Sequence, residues 1–315
     1  MNTIPSLDLS EFLSDNVSVK QGFVFKLGNA FEEIGFISLK NHFLSEDLMN
    51  SLYAEVKQFF DLPKSTKQQY EVPELHGQRG YTSFGKEQAV GHKKADLKEF
   101  WHFGQEPQPG LDFTKDYHKN IQVKELENFN NVGDKAFKML EKTGQTLLRA
   151  IALHLDLEEN YFDQWTSFGN SILRPIHYPP ITSEPDDAIR AGAHGDINLI
   201  TLLMGASTGG LQVLNKQEKW VDATPNKNEL VINVGDMLER LTNNKLRSTI
   251  HRVVNPPKES WHEPRYSIPF FMHPRLDMPL NCLEECIDQQ NPKAYDDITA
   301  GDFLFERLKA IGLIK

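Results

Sequence analysis

The chain has only two cysteines among its 315 residues, Cys282 and Cys286. A secreted scaffold stapled by disulfides is thereby excluded, and two thiols alone make a poor metal site, so both are read as ordinary reduced cysteines. No stretch approaches the roughly 20 consecutive apolar residues that a membrane helix requires. The opening residues, Met1-Asn2-Thr3-Ile4-Pro5, lack a basic start followed by an apolar run, so no signal peptide is expected. Dense Lys/Arg runs are also missing. Short clusters such as Lys93-Lys94 read as solvated surface, and the formal net charge of −10 speaks against a nucleic-acid partner. These absences leave a soluble, cytoplasmic protein with neither a membrane nor a nucleic acid as partner, and a monomer is expected.

What is present suffices for a globular core: 39% hydrophobic and 25% charged residues. The first half reads as helical. Phe23, Leu27, Ala30, Phe31 and Ile34 recur at helical spacing, with Gly35 as a C-terminal stop. Ser45 precedes Glu46 and Asp47, which suits a helix start, and Leu48, Leu52, Val56 and Phe59 form its stripe up to Pro63. A third helix runs through Ala136, Leu140, Leu147 and Ile151. In the second half the period changes. Asn198–Met204, Leu211–Leu214, Leu230–Val234, Arg247–Val254 and Tyr266–Met272 read as strands, with turn signals at Gly209-Gly210, Gly235-Asp236 and Asn243-Asn244. Short strands with short turns indicate a sandwich or barrel. Residues 302–313 read as helical again.

His194-Gly195-Asp196 is the first feature with chemical content. Residues two apart in extended chain project to one side, so an imidazole and a carboxylate can take adjacent positions on one ion. His251 lies 55 residues further on, in a segment that reads as a strand. Two histidines and one carboxylate leave further coordination positions open, the arrangement typical of non-haem Fe(II) oxygenases. Arg265 and Ser267 are again two apart on a strand. A guanidinium fork with a hydroxyl beside it suits a carboxylate. A dicarboxylate co-substrate could supply it, with its other end on the metal; a structural Asp or Glu would suit the arginine too.

In this order the motifs resemble a known family. Ile4-Pro5-Ser6-Leu7-Asp8, Gly35-Phe36-Ile37 through Asn41-His42, Phe59-Phe60-Asp61-Leu62-Pro63 and Gly80-Tyr81 through Glu87 are followed by His194-Gly195-Asp196, Gly210-Leu211-Gln212-Val213, Asn233-Val234-Gly235-Asp236, His251-Arg252-Val253 and Arg265-Tyr266-Ser267. The chain is similar over nearly its whole length to the isopenicillin N synthase-like branch of the Fe(II)/2-oxoglutarate-dependent dioxygenases. The resemblance implies a mainly β fold: a distorted jelly roll, or double-stranded β-helix, flanked by helices. It implies a helix-rich region over 1–165 that adds strands to the core, a catalytic core over 166–275 and a helical segment over 276–315, in one compact unit. His194, Asp196 and His251 would hold Fe(II). Arg265, Ser267 and Tyr178 would bind 2-oxoglutarate, and Phe271 matches an aromatic that lines the substrate pocket in relatives. Ile176 stands where many plant members have Asn.

The implied reaction consumes 2-oxoglutarate and O2, releases succinate and CO2, and hydroxylates, desaturates or cyclises a small organic molecule, with ascorbate supportive in vitro. An oxidase of the same fold that needs no 2-oxoglutarate, and a sensor that binds iron and 2-oxoglutarate without turnover, are the alternatives. Arg190, just before the metal motif, could meet an acidic substrate or form a surface salt bridge. Arg174 and Lys98 are in the same position. His102 could face the pocket, Phe100 and Trp101 read as packing, and His154 reads as a core or surface histidine.

Overall fold

The computed structural model describes residues 4–75, 77–86, 96–115, 117–184, 189–205, 209–223 and 228–310. Glu87, Lys93, Lys94 and residues 311–313 of the closing helical run lie outside them. The helices are α1 Leu9–Phe12, α2 Val17–Glu33, α3 Glu46–Asp61, α4 Lys64–Lys67, α5 Phe129–His154, α6 Asp163–Thr166, α7 Asp236–Leu241 and α8 Ala300–Ala310, and the longest of them, α2, α3 and α5, form where apolar residues repeat at helical spacing. The Asn16 side chain accepts from the Ser18 and Val19 amides to start α2, which buries Phe23, Leu27, Ala30 and Phe31. Ser45 starts α3 by accepting from the Leu48 amide. At Gly35, just past the end of α2, φ is +71°, and an added Cβ would lie 2.2 Å from the Arg247 carbonyl oxygen. Only glycine fits there.

The strands are β1 Ser6–Asp8, β2 Phe36–Lys40, β3 Gly80–Thr82, β4 Glu99–Gly104, β5 Ile172–Leu173, β6 Ile176–Tyr178, β7 Ala191–His194, β8 Ile200–Met204, β9 Leu211–Leu214, β10 Trp220–Asp222, β11 Leu230–Val234, β12 His251–Val253 and β13 Arg265–Met272. They form two sheets. The nine-stranded one runs β1-β2-β11-β8-β13-β5-β4-β3, with β6 beside β13 and β4; the four-stranded one runs β10-β9-β12-β7. The period-2 rule sorts the side chains of the large sheet. Ile200, Leu202 and Met204 of β8 and Tyr266, Ile268, Phe270 and Met272 of β13 join the core cluster shared with α2, α3 and α5. Phe270, for instance, meets Phe137 of α5 edge-on at 5.0 Å. The intervening residues, Thr201 and Leu203 of β8 and Arg265, Ser267, Pro269 and Phe271 of β13, face a cavity between the sheets, opposite Leu211, His251 and Val253. This is the expected distorted jelly roll, with helices on the outer face of the large sheet.

Two strand assignments from sequence need correction. The segment from Arg247 is extended only over His251–Val253. Its first residues are held instead against the end of α2, where the Arg247 amide donates to the Phe31 carbonyl and the Thr249 hydroxyl to the Ile34 carbonyl. β8 starts at Ile200 rather than Asn198, whose side-chain amide donates to the Ile200 carbonyl and the Thr201 hydroxyl. The helix-rich first half also contributes β1–β4 to the large sheet. Phe100 and Trp101 are packing residues, as expected, but they belong to the fully buried strand β4.

Candidate metal centre

β7 ends at His194 and β12 begins at His251, and the two residues are register partners across an antiparallel pair. That pairing brings together two imidazoles 57 residues apart in the chain, with ring centroids 4.5 Å apart. The chain leaves β7 through Gly195 and turns Asp196 toward them. Each histidine Nδ1 faces a carbonyl oxygen: Gly192 at 2.7 Å for His194, and Thr249 at 3.2 Å for His251. A carbonyl can only accept, so Nδ1 carries a proton in each ring and Nε2 is the nitrogen left to face a metal. Both Nε2 atoms face Asp196 Oδ1, at 3.9 and 3.7 Å. One ligand atom from each of the three residues lies within 4.8 Å of the others. His194 keeps 41% of its side-chain surface open to the cavity. The walls still desolvate it enough to push its pKa down to about 4, with the charge of His251 adding to the effect. The two Nε2 atoms are thus turned toward one point, where each can donate to an ion.

The other carboxylate oxygen is already engaged. Asp196 Oδ2 accepts from the Thr201 hydroxyl at 2.6 Å and from the Asn233 amide at 2.8 Å, which leaves Oδ1 to face the histidines. Such outer contacts fix ligand orientation at metal sites. Sequence reading assigned Thr201 and Asn233 no role. The signal was available for Asn233 alone, in Asn233-Val234-Gly235-Asp236, where a polar residue interrupts an apolar strand. Asp236 supports the same loop from behind: its amide donates to the Asp196 carbonyl at 2.7 Å, and its carboxylate accepts from Ser248. A Cβ on Gly195 would lie 2.9 Å from Asp236 Oδ1. The glycine therefore makes room for Asp236 behind the loop.

Arg265, Ser267, Tyr178 and Phe271 line the same cavity as the His-Asp-His group, together with Lys98 and Arg174; it encloses about 590 Å3 including its open mouth. Arg265 and Tyr178 are register partners on β13 and β6. They are hydrogen-bonded, and the guanidinium carbon sits 5.0 Å from the Tyr178 ring centroid. Arg265 is 1% exposed, and burial lowers its pKa from the usual arginine value. Tyr53 of α3, also missed in the sequence, adds to the electrostatics of Arg265 while its hydroxyl donates to the Gly205 carbonyl. Arg190 is not a surface residue, nor is it among the described cavity-lining residues. It is 1% exposed behind Tyr178, 6.0 Å from that ring, and donates to the Glu263 carbonyl at 3.1 Å. Burial first, then the nearby Arg265 charge, brings its pKa down to about 10. Lys98 is likewise buried and pairs with Asp96 at 2.9 Å. The Arg174 guanidinium carbon lies 4.6 and 5.0 Å from the Phe100 and Phe271 ring centroids, and its Nε donates to His102. His154 pairs with Glu32 at 2.9 Å, away from this cavity.

Residues 169–274, which contain the three candidate ligands and Arg265, match the model of the 2OG-Fe(II) oxygenase superfamily. Residues 4–127 match the model described as the non-haem dioxygenase in morphine synthesis N-terminal region. A solved 2OG-Fe(II) oxygenase family protein from Caulobacter crescentus is 42% identical, with a TM-score of 0.89 over 99% of this chain and 100% of that one. A full-length Neurospora crassa protein solved in complex with alpha-KG and thymine is 33% identical, with a TM-score of 0.86 over 98% of this chain and 96% of that one. The 2-oxoglutarate-Fe(II) type oxidoreductase hxnY of Emericella nidulans is 30% identical, across 95% of this chain and 88% of its own length. Among the described residues no helix is long and apolar enough to cross a membrane. Two matched regions in the family's order, relatives matched over most of their length and a jelly roll with a His-Asp-His cluster in its mouth agree, and the chain belongs to the 2OG-Fe(II) oxygenase superfamily as a 2-oxoglutarate-dependent dioxygenase.

Proposed function

We propose that His194, Asp196 and His251 hold Fe(II), that Arg265, Ser267 and Tyr178 receive the distal carboxylate of 2-oxoglutarate, and that the rest of the cavity takes a small organic substrate. The convergence of two Nε2 atoms on one carboxylate oxygen carries this reading. Separations of 3.7 and 3.9 Å can be spanned by an ion about 2 Å from each ligand atom. Bound there, the iron would supply the redox chemistry that couples decarboxylation of 2-oxoglutarate to succinate and CO2 with oxidation of the substrate by O2.

The chain's own residues bind, orient and exclude water. The buried Arg265 offers a fork of donors to a carboxylate in a setting where few waters compete, and Ser267, 4% exposed, adds a hydroxyl on the same face. Phe36, Leu203, Leu211 and Val253 give the cavity apolar walls. Phe271, with the Arg174 guanidinium over its ring, offers a flat surface to the substrate. The likeness to the Neurospora crassa protein, which is solved with thymine, supports a small molecule of that size class. Arg190, behind Tyr178, serves this reading as a support for the co-substrate wall rather than as a substrate contact. The net charge of −10 supports the absence of a nucleic-acid partner. The two free, buried cysteines support a cytoplasmic setting, and light scattering tests the monomer.

The central test is anaerobic. Adding 2-oxoglutarate to the iron-loaded protein should raise a metal-to-ligand charge-transfer band, and admitting O2 should then yield succinate, faster with a true substrate than without one. A protein that binds iron but shows neither band nor succinate would refute the assignment. Thr201→Val keeps the volume and removes the hydroxyl that ties Asp196 Oδ2. Its iron affinity should fall about 10- to 100-fold in an anaerobic iron titration, the range for outer-shell contacts. An unchanged titration would mean that Thr201 does not orient the carboxylate.

A further inference from the structure

Behind the co-substrate wall lies a buried polar cluster that the proposed function leaves unused. We infer that Glu99, Lys67, His177 and Tyr81 are positioning residues, which set the place of the 2-oxoglutarate carboxylate from the far side of strands β6 and β13. This inference rests on the reading of Arg265, Ser267 and Tyr178 given above.

The register makes the connection. β6 and β13 pair Arg265 with Tyr178, Tyr266 with His177, and Ser267 with Ile176. By strand alternation, Arg265, Ser267, Tyr178 and Ile176 face the cavity, while Tyr266 and His177 face the opposite way. On that far side the His177 ring stacks on Tyr266, with centroids 4.8 Å apart and planes 13° apart, and it also touches Phe60 at 5.3 Å. His177 Nδ1 meets Glu99 Oε1 at 2.7 Å. Lys67 Nζ donates to both Glu99 oxygens, at 2.9 and 3.0 Å, and to the Phe60 carbonyl at 2.8 Å. The Tyr81 hydroxyl donates to the same carboxylate. Glu99 thus gathers ties from α4, β3 and β6 while only 6% exposed, with Lys67 at 7% and His177 at 8%.

Such a cluster is poorly explained as a source of stability. Replacing a buried ion pair by apolar residues of similar volume is often neutral or stabilising. What hydrogen-bonded ions provide, and a greasy contact does not, is direction. β6 needs it. The strand is three residues long, lies between Pro175 and Pro179, and has only two register pairs with β4, Glu99 with His177 and Phe100 with Ile176. Pro175 and Pro179 have no amide to add to the sheet. A tie from His177 to Glu99 fixes both the slide and the tilt of the segment that carries Tyr178. The stack on Tyr266 extends that constraint to the segment that carries Arg265 and Ser267. The cluster also gives a purpose to two sequence motifs. The Phe60 carbonyl of Phe59-Phe60-Asp61-Leu62-Pro63 orients Lys67, and the tyrosine of Gly80-Tyr81 orients Glu99.

The test separates positioning from plain structural support. His177→Phe keeps the ring stacked on Tyr266 but deletes the bond to Glu99. Its 2-oxoglutarate KM, and the midpoint of its anaerobic charge-transfer titration, should rise about tenfold, as for outer-shell partners of a site. Its iron affinity should stay at the wild-type value. Tyr81→Phe removes a single hydroxyl and should move the same midpoint in the same direction by a smaller factor; it decides the matter if His177→Phe does not fold. A lower melting temperature with an unchanged 2-oxoglutarate midpoint in the folded variant would overturn the inference. Failure of the wild-type protein to show the band would instead overturn the co-substrate reading on which it rests.

Discussion

His194→Ala should abolish turnover and weaken iron binding by more than about a hundredfold, beyond the range that outer-shell substitutions reach. Among the three candidate ligands this histidine gives the cleanest experiment. Its side chain is 41% open to the cavity and its ring makes one backbone contact, with Gly192, so the fold loses little when it goes. Asp196 is a worse choice. It is 7% exposed and serves as acceptor for both Thr201 and Asn233. Truncating it would leave the Thr201 hydroxyl and the Asn233 amide only the long contacts to Asn198 Oδ1 and the Val234 carbonyl, each at 3.4 Å, at a cost of up to about 1–3 kcal/mol each, and lost folding would be mixed with lost metal. His251 is 8% exposed, with its ring set edge-on to Phe36 at 5.6 Å, so its removal also opens a hole between the sheets. A His194→Ala protein that melts near the wild-type temperature, fails to retain iron at concentrations that saturate the wild type and makes no succinate meets the expectation. One that still makes succinate at even a tenth of the wild-type rate would remove His194 from the metal.

The cluster could be read from sequence only in part, for physical reasons. His194 and Asp196 are two apart, so local geometry alone suggests a shared ligand. His251 is joined to them by a strand pairing that no local pattern encodes, and only the order of motifs pointed to it. Arg265-x-Ser267 was legible because one strand face repeats every second residue. Thr201 was not, because within Ile200–Met204 a single hydroxyl looks like an ordinary β-branched strand residue. For Arg190 and Lys98 the sequence left an acidic substrate or a surface salt bridge as alternatives, with solvent the usual prior for a lone charge. Tertiary packing overrode that prior by giving Lys98 a buried partner in Asp96, and Arg190 a carbonyl and an aromatic ring. The Arg247–Val254 reading failed for a similar reason: an extended-looking run was captured by the end of α2 before it reached the sheet.

Arg265→Met should separate function from stability, with opposite signs. The arginine is 1% exposed, its pKa is lowered by burial, and it lies close enough to Arg190 to depress that residue's pKa as well. Without 2-oxoglutarate this is an arrangement of two desolvated cations, poorly suited to stability. A methionine of similar length removes one of them at the cost of the contacts with the Gly209 carbonyl and Tyr178. The ligand-free variant should therefore melt within about 1 kcal/mol of wild type, or above it. With the co-substrate the balance reverses. Truncating one partner of a buried charge pair costs about 2–5 kcal/mol, so 2-oxoglutarate should bind about 30- to 5,000-fold more weakly. The thermal shift that saturating 2-oxoglutarate gives the iron-loaded wild type should disappear in the variant, because ligand stabilisation follows affinity. Iron binding should be unaffected, since residue 265 contributes no ligand to the ion. Arg265→Lys should fall between the two, because an ammonium keeps the charge but loses the fork. A methionine variant that loses several kcal/mol of stability in the absence of ligand, yet binds 2-oxoglutarate as tightly as wild type, would make Arg265 a structural anchor and leave the distal carboxylate to other residues.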